Sequence, residues 1–381
     1  MFLLEHDAKD ILARGGIPVP PGCLVAAASD LDRVTLPRGP WMIKGQIGAG
    51  GRGQAGIIRK ATTLDALRAH VAAIVGATVK GRRVASVRIE QQVTGAETYL
   101  AFMLDPAAGG VRIIVSVRGG MDVEAVPQDA VRSTTVAPDV QAITDCVREL
   151  TGSMPSPLAA ALSDAGGRMA RLFVEREALL IEVNPLFVRP DGSWTAGDAK
   201  LVTDDNALER QPELRGLLEQ RAAAYPETAL KLHHGFDYVV VDPDGEIGLL
   251  TTGAGLSMML IDELRAAGLK PYNFLDIRTG GLRGETTRLV SVLDWIARGP
   301  SIKALLINIF AGITELGEFS RLLTSALAQS PLKVPVVARL VGNGLPAARE
   351  VLGRAGIPLY TELGEAVTAV RAHLGQAGIC P

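Results

Sequence analysis

Aromatic residues are scarce in this sequence, at 4% of the chain. Proteins that bind single-stranded nucleic acid stack bases on aromatic side chains, so this composition argues against such a surface. The sequence also lacks a basic arm, and its formal net charge of -2 gives no electrostatic reason to bind nucleic acid. We therefore expect no nucleic-acid partner.

Cysteine is rarer still, at three residues. Cys23, Cys146 and Cys380 are too scattered for a disulfide framework or a CxxC metal site, and isolated cysteines are usually small buried apolar residues. Long apolar runs are also missing, since segments such as 304–311 have strand length and a membrane span needs ~20 residues. The first residues lack the basic and apolar regions of a signal peptide. We therefore expect no membrane segment and a cytoplasmic location.

Glycine and proline, at 42 and 22 residues, are abundant and indicate many turns between strands and helices. A chain of 381 residues is too long for one ordinary core. From about Tyr238 the pattern becomes a strict repetition of strand, glycine turn and helix, which predicts a parallel doubly wound sheet with ligand sites at the carboxyl ends of its strands. We place the boundary within 225–237 and expect domains at 1–232 and 233–381.

The first half instead alternates short strands and helices, with hairpin signals that indicate antiparallel pairing. A helix is predicted at about 5–14, and another where Leu64, Leu67, Val71 and Ile74 recur at helical spacing. A further helix is predicted at 156–173, and strands are predicted at 41–47, 56–59, 86–90, 97–104, 111–116 and 179–183. The first domain is therefore expected to be of the α+β class.

A glycine loop is the most informative segment of the first half. Gly48, Gly50 and Gly53 match the GxGxxG dinucleotide fingerprint, but that site needs a helix at the loop, and residues 56–58 predict a second strand. A P-loop is excluded because no Lys-Ser or Lys-Thr pair follows the glycines. A glycine loop between antiparallel strands can close over phosphates, and Lys44 on the entering strand can add positive charge. The alternative is a plain hairpin with a solvated lysine.

Hard oxygen ligands for a metal follow later in the first half. Asn184 and Asp198 lie on neighbouring predicted strands and could converge on one Mg²⁺, which prefers a few oxygen ligands and several waters. Glu90 and Glu97 bracket a loop where they could hold the ribose and base edge of a nucleotide. Each of these side chains could equally be a solvated residue at a strand edge.

The chain resembles the beta subunit of succinyl-CoA synthetase over nearly its full length. The matching segments are HDAKDILARGGIPVPPG near the start, KGQIGAGGRG at 44–53, IEVNP at 181–185, DAK and DDNAL within 198–208, GAGLSM at 253–258, NFLDI at 273–277 and INIFAGI at 307–313. The resemblance implies an N-terminal ATP-grasp domain followed by a flavodoxin-like, doubly wound CoA-ligase domain. It also implies an ADP-forming acid–CoA ligase.

The resemblance assigns roles by motif. The residues that would bind ATP phosphates or line the nucleotide pocket are Lys44, Gly51, Arg52, Gly53, Glu90, Val93 and Glu97. Asn184 and Asp198 would hold Mg²⁺. In this family a histidine of a partner alpha subunit is phosphorylated by ATP and passes its phosphoryl group to the acid, and CoA, bound mainly by the partner, attacks the acyl phosphate. Glu182 resembles the carboxylate that steadies that histidine.

The five histidines of this chain show no nucleophile setting. His6, His70 and His373 fall on predicted helices, and His233 and His234 fall in the predicted linker. We therefore expect a separate alpha chain, in a heterodimer or a heterotetramer, and no activity from this chain alone.

The sequence departs from the succinate enzyme where the acid would bind. Thr252 replaces an asparagine, the segment 278–280 reads Arg-Thr-Gly in place of three glycines, and AGITELGE replaces GGIVRCD. A substrate carboxylate could still bind the backbone N–H groups of Gly312, Ile313 and Thr314. The AxG pattern, RGGMD at 118–122 and the DAK variant resemble malate–CoA ligases more than the succinate enzyme, so we expect a dicarboxylate of the succinate or malate class.

Other functions stay open at this stage. Within the enzyme class, the acid could be another substituted or sulfonated acid. Outside it, the chain could be a regulatory homologue that binds nucleotide without turnover, although Lys44, Glu182, Asn184 and Asp198 together argue against this. A nicotinamide oxidoreductase is disfavoured by the strand predicted after the glycine loop.

Overall fold

The computed structural model describes residues 1–48, 50–79, 81–120, 131–277, 284, 286–312 and 314–376. Contacts divide the chain into two compact units, Met1–Gly216 and Leu217–Pro381. The boundary expected after residue 232 lies later in the chain than this division. It falls inside a helix at Pro226–His234. Leu230 of that helix is buried in the core of the second unit, so the helix belongs with the residues that follow it. His233 and His234 lie on this helix and not in a linker.

The helices are numbered along the chain. Over the described residues they are α1 (Glu5–Arg14), α2 (Leu64–Ile74), α3 (Val140–Thr151), α4 (Ser156–Glu175), α5 (Pro212–Gln220), α6 (Pro226–His234), α7 (Ala254–Ala266), α8 (Thr287–Ile296), α9 (Leu316–Gln329), α10 (Leu345–Arg354) and α11 (Leu363–Gln376).

The strands of the first unit are β1 (Gly22–Val25), β2 (Trp41–Gly45), β3 (Ile58–Ala61), β4 (Thr78–Val79), β5 (Arg82–Arg83), β6 (Val87–Gln91), β7 (Ala96–Asp105), β8 (Gly110–Ser116), β9 (Val131–Val136), β10 (Ala178–Val188), β11 (Trp194–Ala196) and β12 (Lys200–Thr203). Those of the second unit are β13 (Asp237–Val240), β14 (Ile247–Thr251), β15 (Asn273–Asp276), β16 (Ala304–Ala311), β17 (Val336–Gly342) and β18 (Leu359–Tyr360).

The first unit contains two main antiparallel sheets. One has the strand order β1-β6-β2-β3, and the other has the order β11-β10-β7-β8-β9 with β12 paired to β10. Helix α2 covers the first sheet, where its Leu67, Val71 and Ile74 join the core. Leu64 was grouped with these apolar residues by its spacing, but it is 53% exposed because it is the first residue of the helix. Helices α3 and α4 pack against the second sheet.

The second unit is built on a parallel sheet with the order β14-β16-β17-β18. Strand β15 lies on the other side of β14, where the Asn273 side chain accepts from Leu249 N at 2.9 Å and donates to Leu249 O at 2.8 Å. Strand β13 pairs antiparallel with β15 at the edge. The parallel strands therefore follow the order 2-1-3-4-5 of flavodoxin-like sheets.

Helices cover both faces of this sheet. Helices α8, α9 and α10 pack on one face, and α7 and α11 pack on the other. Residues Leu305, Leu306 and Ile307 of the central strand β16 are all 0% exposed, as expected for a parallel strand buried on both faces. The predicted doubly wound second domain is confirmed.

Where the structure describes the chain, it contains no helix that combines the length and apolar character needed to cross a membrane. The cytoplasmic location stays a prediction.

Candidate functional site

One cleft of about 1120 Å³ in the first unit collects the sequence-predicted nucleotide and metal residues. It lies beside the glycine loop that joins β2 to β3. The predicted residues that line it are Lys44, Gly51, Arg52, Gly53, Glu90, Val93, Glu97, Glu182, Asn184 and Asp198. Residues far apart in sequence are thus brought to one place by the two antiparallel sheets.

The glycine loop connects two antiparallel strands, as predicted. Lys44 of β2 pairs with Ile58 of β3, and within the loop Gly56 N donates to Gly53 O at 3.0 Å. Gly51 and Gly56 have φ angles of 79° and 70°, which residues with a Cβ rarely adopt. A strand and not a helix follows the loop, so the GxGxxG match does not form a dinucleotide site.

Lys44 lies at the buried side of the cleft among carboxylates. Its Nζ contacts Glu5 Oε1 at 2.8 Å and Glu90 Oε1 at 2.9 Å, and it donates to Gly197 O at 2.6 Å. Burial alone would lower the pKa of Lys44, but the two carboxylates outweigh it, so the pKa is raised and the amine stays protonated. This lysine is a fixed positive charge and not a proton acceptor.

Lys9 and Arg88 complete what we call the buried ion cluster, whose members are Glu5, Lys9, Lys44, Arg88 and Glu90. Lys9 Nζ contacts Glu5 Oε1 at 2.8 Å and Glu90 Oε2 at 2.7 Å, and Arg88 Nε donates to Glu90 Oε2 at 2.8 Å. Every member is 6% exposed or less. Buried charges are tolerated only when paired and hydrogen-bonded in this way.

Sequence reasoning missed Glu5, Lys9 and Arg88. Charged residues on a predicted helix or strand are normally solvated, and nothing in the spacing of Glu5 and Lys9 on α1 distinguishes them from a surface pair. The available signal was the position of Lys9 in the HDAKDIL segment that carries the family resemblance.

Glu90 faces the cluster and not open space. Burial raises the pKa of its carboxyl group, but the positive charges of Lys44 and Lys9 lower the pKa by more than burial raises it. The pKa of Glu90 therefore lies below its ordinary value. Its two oxygens accept from Lys9, Lys44 and Arg88. The structure therefore gives Glu90 a role in holding the lysines, and a direct contact to a nucleotide stays a prediction.

Arg52 of the glycine loop contacts two carboxylates that line the cleft. Its Nη2 donates to Asp198 Oδ1 and Oδ2, both at 2.8 Å, and its Nη1 donates to Glu5 Oε2 at 2.6 Å. Asp198 Oδ1 also accepts from Ala199 N at 2.8 Å. The predicted phosphate ligand and the predicted metal ligand are therefore in direct contact.

Asn184, the second predicted metal ligand, is oriented by a glycine pair. Gly120 N donates to Asn184 Oδ1 at 2.6 Å, and Asn184 Nδ2 donates to Gly120 O at 3.2 Å. A Cβ at Gly120 would lie 2.4 Å from Glu97 Oε2, and one at Gly119 would lie 2.3 Å from Thr98 O. The Gly119 contact is with backbone, and Gly120 has a φ of 97°, so both positions favour glycine.

Glu182 lies on β10 directly opposite Lys200 of β12. Burial raises the pKa of Glu182, Lys200 opposes the shift, and the Asp198 carboxylate adds to it. The carboxylate is half-buried and borders the cleft, where it could accept a hydrogen bond from a group that enters.

The donor set fits a metal that is shared with phosphates. In the portion of the chain with described coordinates, no group of three or more His, Cys, Asp or Glu side chains forms a metal cage. Magnesium in phosphate-binding sites takes only one or two protein carboxylates besides phosphate and water oxygens. Asp198 and the amide oxygen of Asn184 supply a donor set of that kind.

The predicted acid-binding residues lie in the second unit, at the carboxyl ends of β14 and β16. Thr252 directly follows β14 and is half-buried, and Gly312 directly follows β16, is exposed and has open space around a built Cβ. Thr314 is half-buried. The expected ligand Ile313 and the changed segment 278–280 lie outside the described residues. This crevice between β14 and β16 is the switch point of the sheet, where such folds bind ligands.

Helix α9, which follows this crevice, carries its own anion. Glu315 caps the helix by accepting from Gly317 N at 3.0 Å and from Glu318 N at 2.6 Å. These bonds lower the pKa of Glu315, so its carboxylate is charged at neutral pH. The N–H groups of Gly317 and Glu318 are therefore engaged within the chain, and a substrate anion is left with the loop before the helix.

Comparisons with known proteins agree with this architecture. An ATP-grasp domain family matches residues 2–188, and a CoA-ligase family matches residues 250–373. The structure of an ATP citrate lyase from Methanothrix soehngenii, in complex with citrate and coenzyme A, covers 98% of this chain and 99% of its own with a TM-score of 0.70. At 18% identity that likeness shows a shared fold. The matched domains define the class as CoA ligases with an ATP-grasp domain.

Curated relatives narrow the class to a family. The beta subunit of ADP-forming succinate–CoA ligase from Chloroflexus aurantiacus is 36% identical over 99% of this chain and 100% of its own length. The beta subunit of GDP-forming succinate–CoA ligase from Thermus thermophilus is 34% identical over 99% and 100%. The chain belongs to the family of succinate–CoA ligase beta subunits.

Proposed function

We propose that this chain is the nucleotide-binding beta subunit of an ADP-forming acid–CoA ligase. It uses Mg-ATP to phosphorylate a histidine of a partner alpha subunit, and this drives formation of a dicarboxylic acyl-CoA thioester. The observation that carries the proposal is the convergence of Lys44, Arg52, Asn184 and Asp198 on one cleft. Phosphoryl transfer depends on positioning and charge stabilisation, and these side chains supply both.

The geometry of the cleft supports a role for each of these side chains. Lys44 is held between Glu5 and Glu90, so its ammonium has a fixed position from which it can neutralise a phosphate oxygen. The glycine loop contributes backbone donors and Arg52, whose guanidinium contacts the same Glu5 carboxylate that holds Lys44. Asp198 and Asn184 would hold Mg²⁺, which when bound neutralises charge on the transferred phosphate.

Glu182 suits the role of steadying the partner's histidine. A half-buried carboxylate at the border of the cleft can accept a hydrogen bond from an imidazole N–H and fix its orientation. The charge of Glu182 also favours a protonated or hydrogen-donating imidazole. Its role is electrostatic, so Glu182→Gln would keep the hydrogen bond and lose the charge.

The proposal requires a second chain, and this is its first test. The isolated chain should bind Mg-ATP and form no CoA thioester with succinate or malate, because the phosphorylated histidine and most CoA contacts belong to the alpha subunit. The assay is thioester formation with and without a purified alpha subunit. Robust synthesis by this chain alone would contradict the two-subunit assignment, whereas binding of NADH in place of ATP would favour an oxidoreductase.

The acid is proposed to be a dicarboxylate, with malate preferred to succinate. Thr252 presents a hydroxyl group at the switch point, and a hydroxyl can hydrogen-bond a polar substituent on the acid. Glu315 keeps a negative charge at the adjacent helix start, which favours an acid that also carries a hydrogen-bond donor. A sulfonated or otherwise substituted acid is the alternative with the same recognition chemistry.

A reconstituted pair should therefore use malate with a kcat/KM about tenfold or more above that of succinate. Thr252→Asn should reduce this ratio, since the shorter hydroxyl is replaced by a bulkier amide. Thr368→Asn, on the exposed face of α11, is the matched control and should leave the ratio unchanged. If the wild-type pair instead prefers succinate by about tenfold or more in kcat/KM, Thr252 does not select the acid.

A further inference from the structure

Arg52 contacts the carboxylate that is proposed to hold the metal. A carboxylate offers about four lone-pair sites. Oδ1 of Asp198 accepts from Arg52 Nη2 and from Ala199 N, and Oδ2 accepts from Arg52 Nη2, all at 2.8 Å. Three of these sites are thus engaged, two of them by one guanidinium nitrogen.

A divalent cation on Asp198 would compete with this contact. The ion needs a lone pair on the same oxygens and would meet a positive guanidinium at hydrogen-bond distance. The side chain of Arg52 is 11% exposed, so water screens little of the repulsion. Arg52 and the metal therefore exclude each other at Asp198 unless the guanidinium finds another anion.

A nucleotide supplies that anion. Guanidinium groups pair readily with phosphate oxygens, so Arg52 can exchange Asp198 for a phosphate while its Nη1 keeps Glu5. Asp198 then accepts the metal in place of the guanidinium. When metal and nucleotide enter together, every charge keeps a partner. When the metal enters alone, Arg52 loses its carboxylate partner. When the nucleotide enters alone, Asp198 loses its guanidinium partner.

We propose that Arg52 is a positioning residue that occupies Asp198 until metal and nucleotide arrive together, so that the cleft takes up the metal–nucleotide complex and not the bare metal. The inference rests on the proposed function, because it takes Asp198 as a metal ligand and the cleft as the nucleotide site. Its thermodynamic signature is coupling between the two ligands, and linkage makes that coupling equal in both directions.

The test measures binding and not turnover. Mn²⁺ binding to the full-length chain is followed by electron paramagnetic resonance without nucleotide, and ADP binding in the presence of Mn²⁺ is followed by calorimetry. For Arg52→Gln we expect the Mn²⁺ dissociation constant without nucleotide to fall by about fivefold or more and that of ADP with Mn²⁺ to rise by about fivefold or more, the lower end of usual coupling factors.

Two other variants sharpen the comparison. Arg148→Gln removes an exposed arginine of α3, whose Nη1 donates to Asp145 Oδ1 at 2.6 Å away from the cleft, and should shift neither constant by more than about twofold. Arg52→Lys keeps the competing charge and should stay closer to wild type than Arg52→Gln in Mn²⁺ affinity. Circular dichroism confirms that each variant is folded.

The outcomes separate this inference from the proposed function. Opposite shifts in Arg52→Gln support the inference. Unchanged Mn²⁺ affinity in Arg52→Gln and Arg52→Lys overturns it, and the proposed function still stands if Asp198→Asn abolishes Mn²⁺–ADP binding. Wild-type Mn²⁺–ADP binding by Asp198→Asn refutes the proposed metal site, and the inference fails with it.

Discussion

Asp198→Asn should reduce the proposed ATP-dependent phosphorylation of a partner histidine by about 100-fold or more and leave the chain folded. The substitution keeps the size of the side chain and an oxygen for Ala199 N, but it removes the charge that Arg52 and the proposed metal require. The phosphoryl group then transfers without its main source of charge compensation. Single-turnover transfer of labelled phosphate to the alpha subunit measures the effect.

The matched control is Asp191→Asn, in the turn just before β11. Asp191 is exposed, and its Oδ1 accepts from Ser193 N at 2.9 Å, away from the cleft. This variant should transfer phosphate at the wild-type rate. A normal rate for Asp198→Asn would remove Asp198 from the reaction.

Glu90→Gln should lower the free energy of unfolding of the first unit by about 3–5 kcal/mol. Its carboxylate pairs with Lys9, Lys44 and Arg88, and each of these cations would remain buried with less compensation. The measurement is urea unfolding of the full chain. Glu149→Gln, an exposed change on α3, should alter stability by no more than about 0.5 kcal/mol.

The loss of stability caused by Glu90→Gln should depend on pH. Because Lys44 and Lys9 outweigh burial, the folded pKa of Glu90 lies below its ordinary value. The stability contributed by its charge is therefore present above about pH 4.3, the usual glutamate pKa, and is lost as pH falls through the lower folded value. Wild type and Glu90→Gln should converge in stability at acid pH. A constant difference down to full acid unfolding would show that the charge of Glu90 is not the cause.

Local sequence patterns predicted much of the fold, because the spacing of apolar residues indicates which face of a single helix or strand is buried. Leu67, Val71 and Ile74 recur at helical spacing, and each is buried on α2. The strand after the glycine loop, and the alternation of strands and helices in the second unit, were likewise predicted from the sequence. Strands β1 and β9 and helix α3 were not predicted. Strand β9 reads VRSTTV, whose polar residues resemble a loop until its pairing with β8 is known.

The candidate site could be predicted only in part. Lys44, Asn184 and Asp198 stand in motifs of the family, and the structure brings them to one cleft. The partners of Lys44 could not be predicted, because Glu5 and Glu90 lie on different elements and meet through tertiary packing alone. The contact of Arg52 with Asp198 likewise joins residues 146 positions apart, a distance that no local pattern reports.

The side chain of Asn273 fixes the alignment of two strands. Because one amide bonds both the N–H and the C=O of Leu249, a shift of either strand by a single residue would break both bonds at once. The alignment sets β14 and β15 to end at the same level, where Gly253 N donates to Asp276 Oδ1 at 2.8 Å. The position of Thr252 at the switch point is thus set in part by an amide buried deep in the sheet, so we expect a change at Asn273 to alter the proposed selection of the acid without any contact with the acid.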